Sequence, residues 1–182
     1  MAALAAGSGA SDNRRMLIPP DADLHRAAES LGHRLLDARL KLATAESCTG
    51  GWVAKVATEV VGCSGWFDCA FVAYSYDAKE AMLGVPRVTL EQYGAVSEQV
   101  VVAMVRGALS RSRADLAVAI TGIAGPGGAV PGKPVGTIWM AWGRGHHPPV
   151  TRLLALSGDR DSIRRQTVAE ALAGLDRLVN QE

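Results

Sequence analysis

The stretch Leu42-Ala43-Thr44-Ala45-Glu46-Ser47-Cys48-Thr49-Gly50-Gly51-Trp52-Val53-Ala54-Lys55 decides the fold class. Leu42 to Glu46 reads as a short strand. Small residues and a Gly-Gly pair then turn the chain, and a helix is expected from about Trp52 to Val61. A strand that passes through small residues directly into a helix opens a βα unit. Repeated units of this kind place helices on the faces of a parallel sheet.

The flanking sequence extends this pattern. Upstream, a helix is expected to begin near Asp21 or Asp23, either of which can cap it. Leu24, Ala27, Ala28, Leu31 and Leu35 form its apolar face. Downstream, the continuous apolar run Cys69 to Tyr74 predicts a strand buried on both faces. A short helix near Asp77 to Leu83 follows, with Asp77 as its cap. Thr89 to Tyr93 suits one helical turn, and Ser97 caps a longer helix through Arg111. Asp115 to Thr121 is a second buried-type strand. Val135 to Trp142 and Val150 to Leu156 make a hairpin, and a last helix starts near Asp159. The predicted fold is α/β: a three-layer α/β/α sandwich around a mixed, mostly parallel sheet. Residues 1–20, rich in Ala, Gly and Ser and closed by Pro19-Pro20, read as a disordered tail. Residues 21–182 read as one domain without internal repeats.

Composition excludes several classes. The chain has 182 residues, 48% hydrophobic and 20% charged, with 19 Lys and Arg against 18 Asp and Glu. A net charge of +1 without basic runs argues against a nucleic-acid partner. The three cysteines, Cys48, Cys63 and Cys69, form no CxxC pair, which suggests neither a disulfide framework nor a zinc site. No apolar run approaches the roughly 20 residues of a membrane span, and the N-terminus lacks a secretory pattern. A cytoplasmic protein with no membrane partner is expected. Glycine is abundant, at 20 residues. That abundance means either flexible segments or a backbone opened for close approach to something small.

Three loops fall at the C-terminal ends of predicted strands, the edge where open α/β sheets bind ligands. In the first, Thr44 to Gly51, Ser47 can be a nucleophile beside backbone donors; alternatively, Ser47 or Thr49 only caps the helix. Cys48 is a rival nucleophile, because helix N-termini lower thiol pKa values. In the second, Tyr74-Ser75-Tyr76-Asp77-Ala78-Lys79, a desolvated Lys79 can act as general base without histidine; the alternative is a solvated surface lysine. In the third, the 13 residues Gly122 to Pro134 are too rich in Gly and Pro for regular structure. Lys133 adds charge there, and Arg160 at the start of the last helix can reach a phosphate.

Six segments in order, TAESCTGG (44–51), AYS–AK–LGV (73–85), GAVSEQVV (94–101), TGIAGP (121–126), KPVGT (133–137) and SGDR (157–160), resemble the C-terminal domain of the competence/damage-inducible CinA proteins. The likeness is strongest to the family's stand-alone nicotinamide-nucleotide amidases and runs from about Leu24 to Leu178. The chain is too short to be expected to carry the extra N-terminal domain of full-length CinA. The resemblance implies hydrolysis of nicotinamide mononucleotide to nicotinate mononucleotide and ammonia, without metal or cofactor, by a serine–lysine mechanism. It makes Ser47 the nucleophile and Lys79 the base, assisted by Tyr74. Glu46, Thr49, Gly50, Gly51, Tyr76, Thr121, Gly122, Gly125, Pro126, Lys133 and Arg160 complete the expected substrate site. Tyr76 stands where the family pattern usually has Asn. A homo-oligomer is expected, as for many small enzymes. The contrasting reading is a nucleotide-binding module without catalysis, linked to competence or damage responses.

Overall fold

Alternation along the strands gives the central sheet two unlike faces. In the computed structural model, which describes residues 18–180, Leu42, Leu116, Val118, Ile120, Ile138, Met140 and Trp142 face one way, and Ala43, Ala45, Ala117, Ala119 and Ala141 face the other. The elements in chain order are α1 (Asp21–Ala38), β1 (Leu42–Glu46), α2 (Trp52–Thr58), β2 (Phe67–Val72), α3 (Tyr76–Leu83), α4 (Arg87–Tyr93), α5 (Glu98–Ser110), β3 (Leu116–Gly122), β4 (Thr137–Arg144), β5 (Val150–Ala155) and α6 (Arg160–Val179), with a 3₁₀ turn at Cys63–Gly65. Buried side chains of α1, α2 and α6 cover the face of large residues. Those of α3, α4 and α5 cover the alanine face. The expected three layers follow. Small alanines let α5 settle close to the sheet, and close packing recurs at Gly107, where a Cβ would lie 2.0 Å from the Leu83 carbonyl.

The strand order is β2-β1-β3-β4-β5. β2, β1 and β3 run parallel, and β4 and β5 continue antiparallel. The C-terminal ends of the three parallel strands therefore share one edge with the start of β4. Four segments meet at that edge: the turn after β1, the link from β2 to α3, the loop after β3, and the first turn of α6.

Several local expectations change. Pro20 holds the N-cap position of α1 and no side chain caps it; Asp21 pairs instead with Arg165, and Asp23 with Arg26. β2 is an edge strand, so its residues alternate between half-buried and exposed rather than being buried throughout. Ser75, not Asp77, caps α3 by accepting from the Ala78 N–H, while Asp77 pairs with Arg87. α2 ends at Thr58, short of Val61. Ser97 and Asp159 cap α5 and α6 as expected. Most of the expected N-terminal tail, residues 1–17, lies outside the described residues. No described helix is long and apolar enough to cross a membrane.

Candidate active site

The turn after β1 is built around a carboxylate. Glu46 is fully buried, and its oxygens accept from the N–H groups of Val53 (3.2 Å) and Ala54 (2.9 Å) and from the Thr44 hydroxyl (3.2 Å). These are first-turn donors of α2, whose N-cap position is held by Gly51 at φ 89° with no side-chain cap of its own. A strand residue thus satisfies donors that a Ser or Thr cap usually serves. Neither Ser47 nor Thr49 caps the helix. Glu46 is inside the protein, and both its oxygens are hydrogen-bonded to the chain.

Ser47 is left free for other chemistry. Its N–H continues the ladder to the Ile120 carbonyl, and its own carbonyl accepts from Gly50 at 3.0 Å, so the turn is tied on both sides. Its hydroxyl meets Lys79. The Lys79 ammonium nitrogen lies 3.0 Å from Ser47 Oγ, 2.8 Å from the Ala73 carbonyl and 3.1 Å from the Tyr74 carbonyl. Lys79 has no exposed surface, and loss of hydration on burial lowers its pKa from 10.5 to about 8. Among the described residues, no carboxylate bonds to it. The two carbonyls can only accept, so in the neutral amine they take both N–H bonds and leave the lone pair aimed at Ser47. The alternative of a solvated surface lysine is thereby excluded.

The other expected residues divide into groups. Tyr74 gives Lys79 its carbonyl; the residue is 61% exposed, and its phenol accepts from Arg160 at 3.4 Å instead of reaching the base. Arg160 also donates to the Gly125 carbonyl at 2.7 Å. Pro126 follows on the exposed part of that loop. A second group surrounds residues 93–95. The Tyr76 phenol accepts from the Ala95 N–H, Thr121 donates to the Ala95 carbonyl, and Lys133 donates to the Tyr93 carbonyl. Gly122 ends β3, where a Cβ would lie 2.8 Å from the Thr137 carbonyl. Thr49 is buried with an unpartnered hydroxyl, and Gly50 is exposed.

Cys48 is overturned as a nucleophile. Its side chain packs into the core between α2 and the sheet, and burial pushes its thiol up to about 12. Desolvation here outweighs the favourable effect of a nearby helix start, because the thiolate would have to form in an apolar setting.

Arg164 was not evident from the sequence. It donates to the Cys48 carbonyl at 3.1 Å and to the Thr49 carbonyl at 2.7 Å, with its guanidinium 4.9 Å from the Trp52 ring centre. Its spacing of four from Arg160 on one helix is the only sequence signal that could have drawn attention to it.

The family model described as "CinA C-terminal domain" matches residues 24–179, most of every element from α1 to α6 and each site residue above. The chain belongs to the CinA C-terminal domain family. Relatives in this family include the nicotinamide-nucleotide amidohydrolase PncC of Escherichia coli (strain K12), 52% identical over 85% of this chain and 94% of its own length. The protein of the same name from Pseudomonas putida is 51% identical over 81% and 92%. Among solved structures, the competence/damage inducible protein CihA from Agrobacterium tumefaciens superposes with a TM-score of 0.85 at 42% identity, over 90% of this chain and 98% of that one. The matched residues span the whole described site.

Proposed function

We propose that the protein hydrolyses the carboxamide of nicotinamide mononucleotide, giving nicotinate mononucleotide and ammonia and so recycling a pyridine nucleotide. The substrate comes from the names of its amidohydrolase relatives. The observation that carries the chemistry is the buried Lys79 nitrogen at 3.0 Å from Ser47 Oγ, held from behind by two carbonyls. Neutral Lys79 takes the Ser47 proton as Oγ attacks the carboxamide carbon. The resulting oxyanion is met by backbone donors; among the described residues, the N–H groups of Cys48 and Thr49 have no backbone carbonyl partner. One such donor is worth ~3 kcal/mol in comparable sites. Protonated Lys79 then hands the proton to the departing nitrogen, ammonia leaves, and water deprotonated by the same amine releases the acid from Ser47.

The phosphate belongs at the rim. The start of α2 already faces the Glu46 carboxylate, so an anion there would meet like charge. Among the described residues, Arg160 bonds only to neutral oxygens, as does Lys133. Both therefore offer uncompensated charge to a nucleotide phosphate. A cytoplasmic setting and a symmetric oligomer accompany this reading.

Ammonia release from nicotinamide mononucleotide is the direct test, run with and without a chelator. We expect release from the wild type in both conditions and none from Ser47→Ala. Nucleotide binding without ammonia from the wild type would refute the proposal in favour of a non-catalytic module.

A further inference from the structure

We infer that Arg164 is a positioning residue that aims an oxyanion donor; this rests on the amidase reading above. Its fork spans two consecutive carbonyls, Nε on Cys48 O and Nη2 on Thr49 O. A trans peptide is planar, with its C=O and N–H pointing in opposite directions. Fixing the Cys48 carbonyl therefore fixes the Thr49 N–H at the other end of the same unit. The Thr49 carbonyl shares its unit with the Gly50 N–H, which is held by the Ser47 carbonyl at 3.0 Å. The turn is thus clamped while the Thr49 N–H stays unpaired to any backbone carbonyl.

The layers give the direction. α6, which carries Arg164, lies with α1 and α2 on one face of the sheet. α3, which carries Lys79, lies on the opposite face. Carbonyls drawn toward α6 turn the Thr49 N–H toward the side where Lys79 meets Ser47 Oγ, and so toward the charge that develops when Oγ attacks. A cation on the carbonyl also polarises the amide and strengthens its N–H as a donor. The guanidinium is steadied by the Trp52 ring at 4.9 Å and by half-burial. Among the described residues no carboxylate pairs with it: the neighbouring Asp161 pairs with Arg165. Lysine cannot reproduce the arrangement, since a point charge does not bridge two carbonyls as a planar fork does.

The test compares Arg164→Gln and Arg164→Lys with the wild type. Both are expected to lower kcat about 10²-fold, the loss seen when one oxyanion donor is misplaced. KM should stay within about twofold, because a group acting only in the transition state leaves ground-state binding alone. The pH midpoint of turnover should not move, since the surroundings of Lys79 are untouched. A second readout uses the mononucleotide of pyridine-3-carbaldehyde, to which Ser47 Oγ adds reversibly, its proton passing to Lys79 and an oxyanion forming. Its affinity should fall by the same factor as kcat, while nicotinamide mononucleotide binds Ser47→Ala equally with and without Arg164→Gln. Full-rate Arg164→Lys, or a raised KM with kcat intact, would overturn the inference. If the Gln variant fails to fold, the Lys variant, which keeps charge and stem, decides alone. A wild type that releases no ammonia overturns the amidase reading itself, an outcome distinct from a fast Lys variant.

Discussion

The Ser47–Lys79 pair and the Arg160–Lys133 rim lie at the same sheet edge and differ in almost every physical respect. The pair is buried, and each partner is tied to backbone that belongs to a strand or a cap. The rim cations, half-buried Lys133 in a Gly- and Pro-rich loop and exposed Arg160 at the start of α6, bond to isolated carbonyls and one phenol. Burial lowers a lysine pKa and holds distances fixed, as proton transfer requires. Exposure keeps a guanidinium charged and hydrated, as reversible capture of a phosphate requires. On the proposed reading one edge separates bond-making from binding, and the two regions should answer differently to mutation, pH and salt.

The sharpest difference is in kcat. Ser47→Ala and Lys79→Met should each lower turnover by at least about 10³-fold, and the double variant no further than the worse single one, because groups acting as a unit are not additive. Steady-state ammonia release checks this. Additive losses would mean that Ser47 and Lys79 do not share one proton.

Stability should show the same division through pH. Lys79 titrates near 8 in the folded chain against 10.5 in the unfolded one. Between those values the unfolded state binds more protons, so stability rises with pH across that window. Lys79 should contribute roughly 3 kcal/mol above pH 10.5 that is lost as pH falls through 8. Urea unfolding of the wild type against Lys79→Met reads this as a widening gap, and parallel curves would contradict a buried, depressed amine. Turnover should follow the same group, rising as pH passes about 8 because only the neutral amine accepts the Ser47 proton.

The rim should affect affinity. Arg160→Ala should raise KM for nicotinamide mononucleotide about 10- to 100-fold, the worth of a hydrogen bond to a charged group. It should change little for nicotinamide riboside, which lacks the phosphate. Added salt should weaken the wild type toward the variant. Equal losses on both substrates would place Arg160 at the nucleoside rather than at the phosphate.

What the sequence displayed of this edge depended on whether a feature lives in side-chain pattern or in main-chain geometry. β1, β3, the Ser97 and Asp159 caps and the layer architecture follow from apolar periodicity and local hydrogen bonding, which residue types carry directly. Ser47 and Lys79 were readable as residue types at strand ends. The acceptors that orient Lys79 were not, because the carbonyls of Ala73 and Tyr74 have no side-chain signature. The hold of Glu46 on the start of α2 was hidden for the same reason: its partners are amides of α2, seven and eight residues on. Asp77 lost the cap of α3 to Ser75, which sits two residues earlier at the N-cap position, and Cys48 was misjudged because a helix start is visible in sequence and a core is not. Arg164 reaches the turn over a separation of more than a hundred residues, which no local pattern records.

The smallest effect should come from Tyr76, beside Lys133 at the 93–95 segment. Its phenol accepts from the Ala95 N–H at 3.2 Å, but the 93–97 segment has other ties. Thr121 holds the Ala95 carbonyl, Lys133 the Tyr93 carbonyl and Ser97 the Gly94 carbonyl. Asn at position 76 is too short to reach Ala95, so Tyr76→Asn removes one hydrogen bond of about 1 kcal/mol from a segment that remains anchored. KM should shift by about threefold or less and kcat should hold, since neither Ser47 nor Lys79 touches the phenol. A kcat change of the size expected for the buried pair would show that the two regions are mechanically joined through the 93–97 segment, and the separation of bond-making from binding would have to be abandoned.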